Sequence, residues 1–126
     1  MNTNSVKRPI YCWDSSAILG WFNEEEDKPL DDMALVIDEV CKDEAVLLLS
    51  VTVYCEVLCV GKGTNGAKKF RSFLDRSTVE MVNVTPPIAS LTAKLREKEI
   101  EQGRKLRTPD AQILATAMLY QASVLH

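Results

Sequence analysis

Three acids sit where their surroundings give them chemistry to do. Asp14 closes the β-prone run Pro9-Ile-Tyr-Cys-Trp13. Glu56 lies inside Val53–Val60, among apolar residues and thiols. Asp110 opens the apolar segment Ala111–Leu119. Each has a plainer role. Asp14 can be a turn or N-cap residue. Glu56 can be half of a buried ion pair, because an unpaired buried carboxylate costs several kcal/mol. Asp110 can serve a helix start in which Thr108 caps and Pro109 takes the first position. Taken together, the three can converge, and converging carboxylates repel unless a divalent cation neutralises them. Hard oxygen donors suit Mg²⁺ or Mn²⁺. The matching reaction is metal-assisted phosphodiester hydrolysis, with activated water and stabilised charge on phosphorus. The one histidine among the 126 residues is His126. Histidine-based hydrolases, histidine-assisted nucleases and zinc fingers are therefore excluded.

The elements that must position these acids alternate. Short strands are expected at Pro9–Trp13, Ala45–Leu49, Thr78–Val84 and from Ser123. Ala45–Leu49 is a continuous apolar run of the kind buried in a parallel sheet. Helices are expected over Ala17–Asn23, from Asp31 or Asp32 to Lys42 with Leu35, Val36, Val40 and Cys41 inward, over Val53–Val60 capped by Ser50 or Thr52, over Ala67–Arg76, from Pro86-Pro87 to Gln102, and from Thr108 to about Gln121. The apolar last helix is expected to be buried. The order β-α-α-β-α-α-β-α-α-β predicts an α/β domain over residues 1–126, a central parallel sheet between helical layers. In such sheets functional groups gather beyond the carboxyl ends of the strands.

Composition is that of an ordinary globular chain: 46% apolar, 26% charged, net charge −3. Residues 1–60 hold 4 Lys+Arg and 12 Asp+Glu, and residues 61–126 hold 11 and 6. This asymmetry allows an acidic site beside a basic rim. No run of 18 apolar residues suggests a membrane span, and the N-terminal stretch lacks a signal-peptide pattern. Cys12, Cys41, Cys55 and Cys59 lie among apolar residues and read as buried, reduced thiols of a cytoplasmic chain. Gly61-Lys-Gly-Thr64 lacks the Walker spacing. Phe70 and Phe73, beside Lys68, Lys69 and Arg71, are expected to pack rather than stack on bases.

Asp14-Ser-Ser-Ala-Ile-Leu with Glu24-Glu-Glu, Ser50-Val-Thr-Val-Tyr-Cys-Glu-Val-Leu58 and Leu106-Arg-Thr-Pro-Asp-Ala-Gln-Ile-Leu-Ala-Thr-Ala117 resemble the three successive signatures of a PIN domain, and among those the VapC-type toxins of toxin–antitoxin pairs. The resemblance spans essentially the whole chain. It implies a PIN-like three-layer fold and a Mg²⁺- or Mn²⁺-dependent ribonuclease. It implies Asp14, Glu56 and Asp110 as catalytic, metal-binding acids, with Ser15 or Ser16 and Thr108 as supporting polar groups. It also implies a homodimer and an antitoxin that covers the site. The family usually carries a fourth acid just after the strand that follows the last helix. Here the sequence reads Val124-Leu125-His126 where that stretch should begin, so the C-terminal strand region is expected to be truncated. The alternative function is accordingly a catalytically impaired PIN-like binding module. Arg104, Lys105 and Arg107 precede Asp110 and are the candidates for gripping RNA phosphates that an acidic site alone would repel.

Overall fold

The computed structural model describes residues 8–125, so the N-terminal stretch read for a signal peptide and His126 lie outside the described residues. The element order is β1 (Ile10–Trp13), α1 (Ser15–Phe22), α2 (Leu30–Cys41), β2 (Val46–Ser50), α3 (Val51–Val60), α4 (Asn65–Phe73), β3 (Val79–Val82), α5 (Pro86–Glu101), α6 (Thr108–Tyr120) and β4 (Ser123–Leu125). The four strands form one parallel sheet in the order β3-β2-β1-β4. The α/β alternation and the central parallel sheet thus follow the expectation.

Side-chain alternation along β2 separates two apolar layers. Leu47 and Leu49 join Cys12, Trp13, Ile18, Val53, Val57 and Phe70 on one side. Leu48 joins Val82, Ile88 and Ala115 on the other. Helices α1, α3 and α4 cover the first side, with Phe22 packed edge-on against Phe70 and Phe73. Helix α5 covers the second, and α6 contributes to both through Ile113 and Ala115. Phe70 and Phe73 are therefore core residues.

The strand order creates a switch point. The chain steps outward from β1 to β2 to β3, then returns to place β4 on the opposite edge of β1. The crevice between β1 and β4, beyond their carboxyl ends, is where such sheets hold ligands. β4 is present as three residues paired with β1: Tyr11 with Ser123, Cys12 with Val124 and Trp13 with Leu125. The Asp14 N–H donates to the Leu125 carbonyl at 3.2 Å, closing the corner.

Several local expectations are corrected. Helix α2 is capped by Pro29, and Asp31 and Asp32 occupy its first turn, where acids suit the helix dipole. Leu35 points outward, 66% exposed, because Met33 and Val40 define the inner face. Cys12 is buried and Cys41 half-buried, but Cys55 and Cys59 are exposed. Helix α3 turns Val53 and Val57 inward, and two residues on, the thiols fall on the opposite face. Arg107, not Thr108, is the N-cap of α6, so Thr108, Pro109 and Asp110 are its first three residues. The C-terminal turn of α6 leaves Met118, Leu119 and Tyr120 exposed rather than buried. The third strand is shorter than Thr78–Val84.

Ser50 ends β2 and caps α3, the helix that carries Glu56. Its hydroxyl accepts from the Thr52 N–H at 3.2 Å, and the residue is buried. Ser50→Ala is expected to destabilise the fold by about 1 kcal/mol. In a chain of this size that is a fall of roughly 4 °C in the thermal midpoint.

Candidate functional site

Asp14 emerges from the carboxyl end of β1 in extended backbone, φ −80° and ψ 175°. Its Oδ1 accepts from the Ala17 N–H at 2.8 Å, so the residue caps α1 while its other oxygen stays available. Capping and a ligand role are therefore compatible in one side chain. Across the switch point, the N-terminal turn of α6 presents Asp110. Asp14 and Asp110 line the same cavity of about 390 Å³, together with Leu106, Ile113 and Leu114.

Glu56 reaches this corner from α3. It is half-buried, and its Oε1 accepts from the Ser15 hydroxyl at 3.3 Å. Ser15 is the residue after Asp14, so this bond ties Glu56 to the start of α1, one residue on from Asp14. Thr52 on α3 donates to the Gln112 Oε1 on α6 at 2.7 Å. This bond ties together the two helices that bring Glu56 and Asp110. Ser16 faces elsewhere: the Lys28 ammonium donates to its hydroxyl at 2.8 Å. The Lys28 stem crosses α1 at Gly20, where an added Cβ would lie 2.6 Å from Lys28 Cγ. Thr108 is exposed at the start of α6.

Electrostatics sets this corner apart. Among the described residues the ion pairs are Lys42–Asp38 and Arg104–Glu99. Among these residues Glu56 is not half of a buried pair, and none of the three site acids has a cation within 4 Å. Burial and the nearby Asp14 charge push the Cys12 thiol up to about 11, which keeps this neighbour protonated and unreactive. Among the described residues no three His, Cys, Asp or Glu side chains form a closed metal-ligand set. Asp14 is turned to the Ala17 N–H and Glu56 to Ser15, so the structure does not bring the three carboxylates together. Mg²⁺ needs only one or two direct carboxylates and keeps several waters. The donor chemistry of the cavity, whose lining holds the carboxylates of Asp14 and Asp110, fits that requirement, while Glu56 is held by Ser15 outside that lining.

The basic residues divide. Arg104 donates to Glu99 Oε1 at 3.1 Å and also binds the Gln102 side chain. The bond from Arg104 holds the Glu99 carboxyl below its ordinary range. Arg104 is thus turned back to α5 by the reversal at Gly103, φ 74°. Lys105 and Arg107 line a second cavity, of about 340 Å³, with Arg96, Ile100 and Leu106. Sequence reasoning missed Arg96, Leu106, Thr52 and Gln112. The last two stand in the quoted motifs beside Glu56 and Asp110, which is the signal that points to them. Arg96 lies in a charged helix face with nothing local to mark it.

The sequence pattern of the PIN domain matches residues 11–126. The chain belongs to the PIN domain family. PIN domains are generally nucleases. No characterised protein matches the chain by sequence. Among solved structures, VapBC2 from Rickettsia felis bound to a promoter DNA fragment is similar at TM-score 0.72 and 16% identity, over 93% of this chain and 86% of that one. A toxin–antitoxin complex from Klebsiella pneumoniae gives 0.61 and 22%, over 92% and 84%. FitAcB from Neisseria gonorrhoeae gives 0.63 and 18%, over 91% and 84%. At these identities the likeness is one of fold, and this PIN domain has the three-layer α/β/α architecture of the family. Among the described residues no helix is long and apolar enough to cross a membrane.

Proposed function

We propose that this PIN domain is a Mg²⁺- or Mn²⁺-dependent endoribonuclease, the toxin of a toxin–antitoxin pair acting in the cytoplasm. The observation that carries the reading is the shared cavity of Asp14 and Asp110 at the β1/β4 switch point, with no ion-pair partner for either acid among the described residues. Asp14, Asp110 and Glu56 are the residues that would hold the cation. When bound, the cation supplies activated water and neutralises charge at the phosphodiester. The chain's own groups do the positioning. The α1 cap fixes Asp14, Ser15 orients Glu56, and the Thr52–Gln112 bond sets α3 against α6. Lys105 and Arg107 offset the repulsion between an acidic site and RNA. The toxin–antitoxin complexes among the structural neighbours support an antitoxin partner. The exposed Met118, Leu119 and Tyr120 offer apolar surface for a homodimer.

The test is cleavage of single-stranded RNA by the purified chain, with Mn²⁺, with Mg²⁺ and with chelator. Cleavage in the metals that stops on chelation is the expected result. RNA binding with no cleavage in either metal would instead give the impaired binding module.

A further inference from the structure

The second cavity shares a wall with the acidic one. Leu106 lines both. Its carbonyl accepts from Arg96 Nε at 3.0 Å, which fixes the segment between α5 and α6 and leaves the terminal guanidinium nitrogens of Arg96 for an anion. Lys105 and Arg107 flank Leu106 and line this second cavity, while Asp14 and Asp110 line the first. Three cations therefore line a space whose apolar lining is Ile100 and Leu106, and among the described residues no acid lines it.

We infer that this cavity is a subsite for one unpaired nucleotide next to the phosphodiester held at Asp14 and Asp110. The inference rests on the nuclease reading and deepens it. An occupant must present an anion to Arg96, Lys105 and Arg107 and a flat apolar face to Ile100 and Leu106. A nucleotide presents both, and a strand runs on past Leu106 to the acids. At about 340 Å³ the space is at the lower end of small-molecule pockets. That suits one splayed nucleotide and excludes a duplex, in keeping with the preference of RNA-reading sites for unstacked bases.

The probes are uridine 5′-monophosphate, inorganic phosphate and a tetraglutamate peptide, titrated into the whole chain in chelator and followed by ¹H–¹⁵N NMR. The nucleotide is expected to shift amides around Ile100 and Leu106 and to bind about tenfold tighter than phosphate, the gain from covering roughly 55 Å² of apolar surface between a base face and two aliphatic side chains. Ile100→Gln, which removes the apolar face without adding a charge, should weaken the nucleotide severalfold, leave phosphate binding as it is, and hold the melting temperature near the parent's, since Ile100 is 61% exposed. Equal affinity for nucleotide and phosphate would reduce the cavity to an anion patch and overturn the inference. Equal binding of tetraglutamate would reassign it to a protein partner, and an indifferent Ile100→Gln would remove the apolar contact from the inference. RNA cleavage in Mn²⁺, measured beside these, separates the two readings. Nucleotide binding without cleavage sinks the nuclease and leaves the subsite. Cleavage without nucleotide binding sinks the subsite alone.

Discussion

Asp14→Asn is expected to lower RNA cleavage by at least about a hundredfold, the upper range for groups that merely orient metal ligands, while the fold stays as stable as the parent. The two effects separate because Asp14 does two jobs. Its Oδ1 caps α1 by accepting from the Ala17 N–H, and asparagine caps a helix as well as aspartate does. Only the charge disappears. Asp110→Asn is expected to lose as much activity. It gives up an acid at a helix start, worth about 0.3–1 kcal/mol. It also relieves repulsion from Asp14 across the shared cavity, so its melting temperature should stay near the parent's. The double variant is expected to be no slower than either single one, because residues that act as a unit are grossly non-additive. Single-turnover rates in Mn²⁺, beside thermal melts, check all three. An Asp110→Asn protein with undiminished cleavage would remove α6 from the site.

The sheet was legible because each strand is a short apolar or β-branched run between clear breaks, and because the order of elements leaves one economical topology. The acids stood out as candidates for a related reason, and two of them, Asp14 and Asp110, line one cavity. Asp14 ends an apolar run, Asp110 opens one and Glu56 interrupts one, so each contrasts with its neighbours. Orientation about a helix axis was less legible where apolar residues go all round. Val53–Val60 offers no polar stripe, so nothing local says that Val53 and Val57 face the core while Cys55 and Cys59 face outward. Leu35 differs: Asp31, Asp32, Asp38 and Glu39 stand three and four residues from it on α2, so the local pattern already carries its outward face. Tertiary partners were not legible at all. Arg104 looks like its basic neighbours in sequence, but the reversal at Gly103 commits it to Glu99. Arg96 takes its place beside Lys105 and Arg107, through a bond to a carbonyl ten residues away.

Glu56→Gln separates the metal site from the scaffold. The glutamate accepts from Ser15 and has no cationic partner among the described residues. Glutamine keeps the shape and an oxygen to accept that bond. Removing the charge also lessens repulsion toward Asp14, a relief of order 1 kcal/mol in a solvated corner. In chelator the variant is therefore expected to melt at or slightly above the parent. A buried ion pair would have predicted the reverse, a loss of about 3–5 kcal/mol with or without metal. Added Mn²⁺ should stabilise the parent, because the ion binds only the folded state; at a hundred times Kd the gain is about 2.7 kcal/mol. Glu56→Gln should lose most of that gain, and cleavage with it. Ser15→Ala should keep part of both, because it frees the Glu56 carboxylate without removing it. Melts of the three proteins in chelator and in excess Mn²⁺ distinguish these outcomes. If Glu56→Gln retained the full metal-dependent stabilisation, Glu56 would be a surface acid that happens to accept from Ser15, and the cation would rest on Asp14 and Asp110 alone.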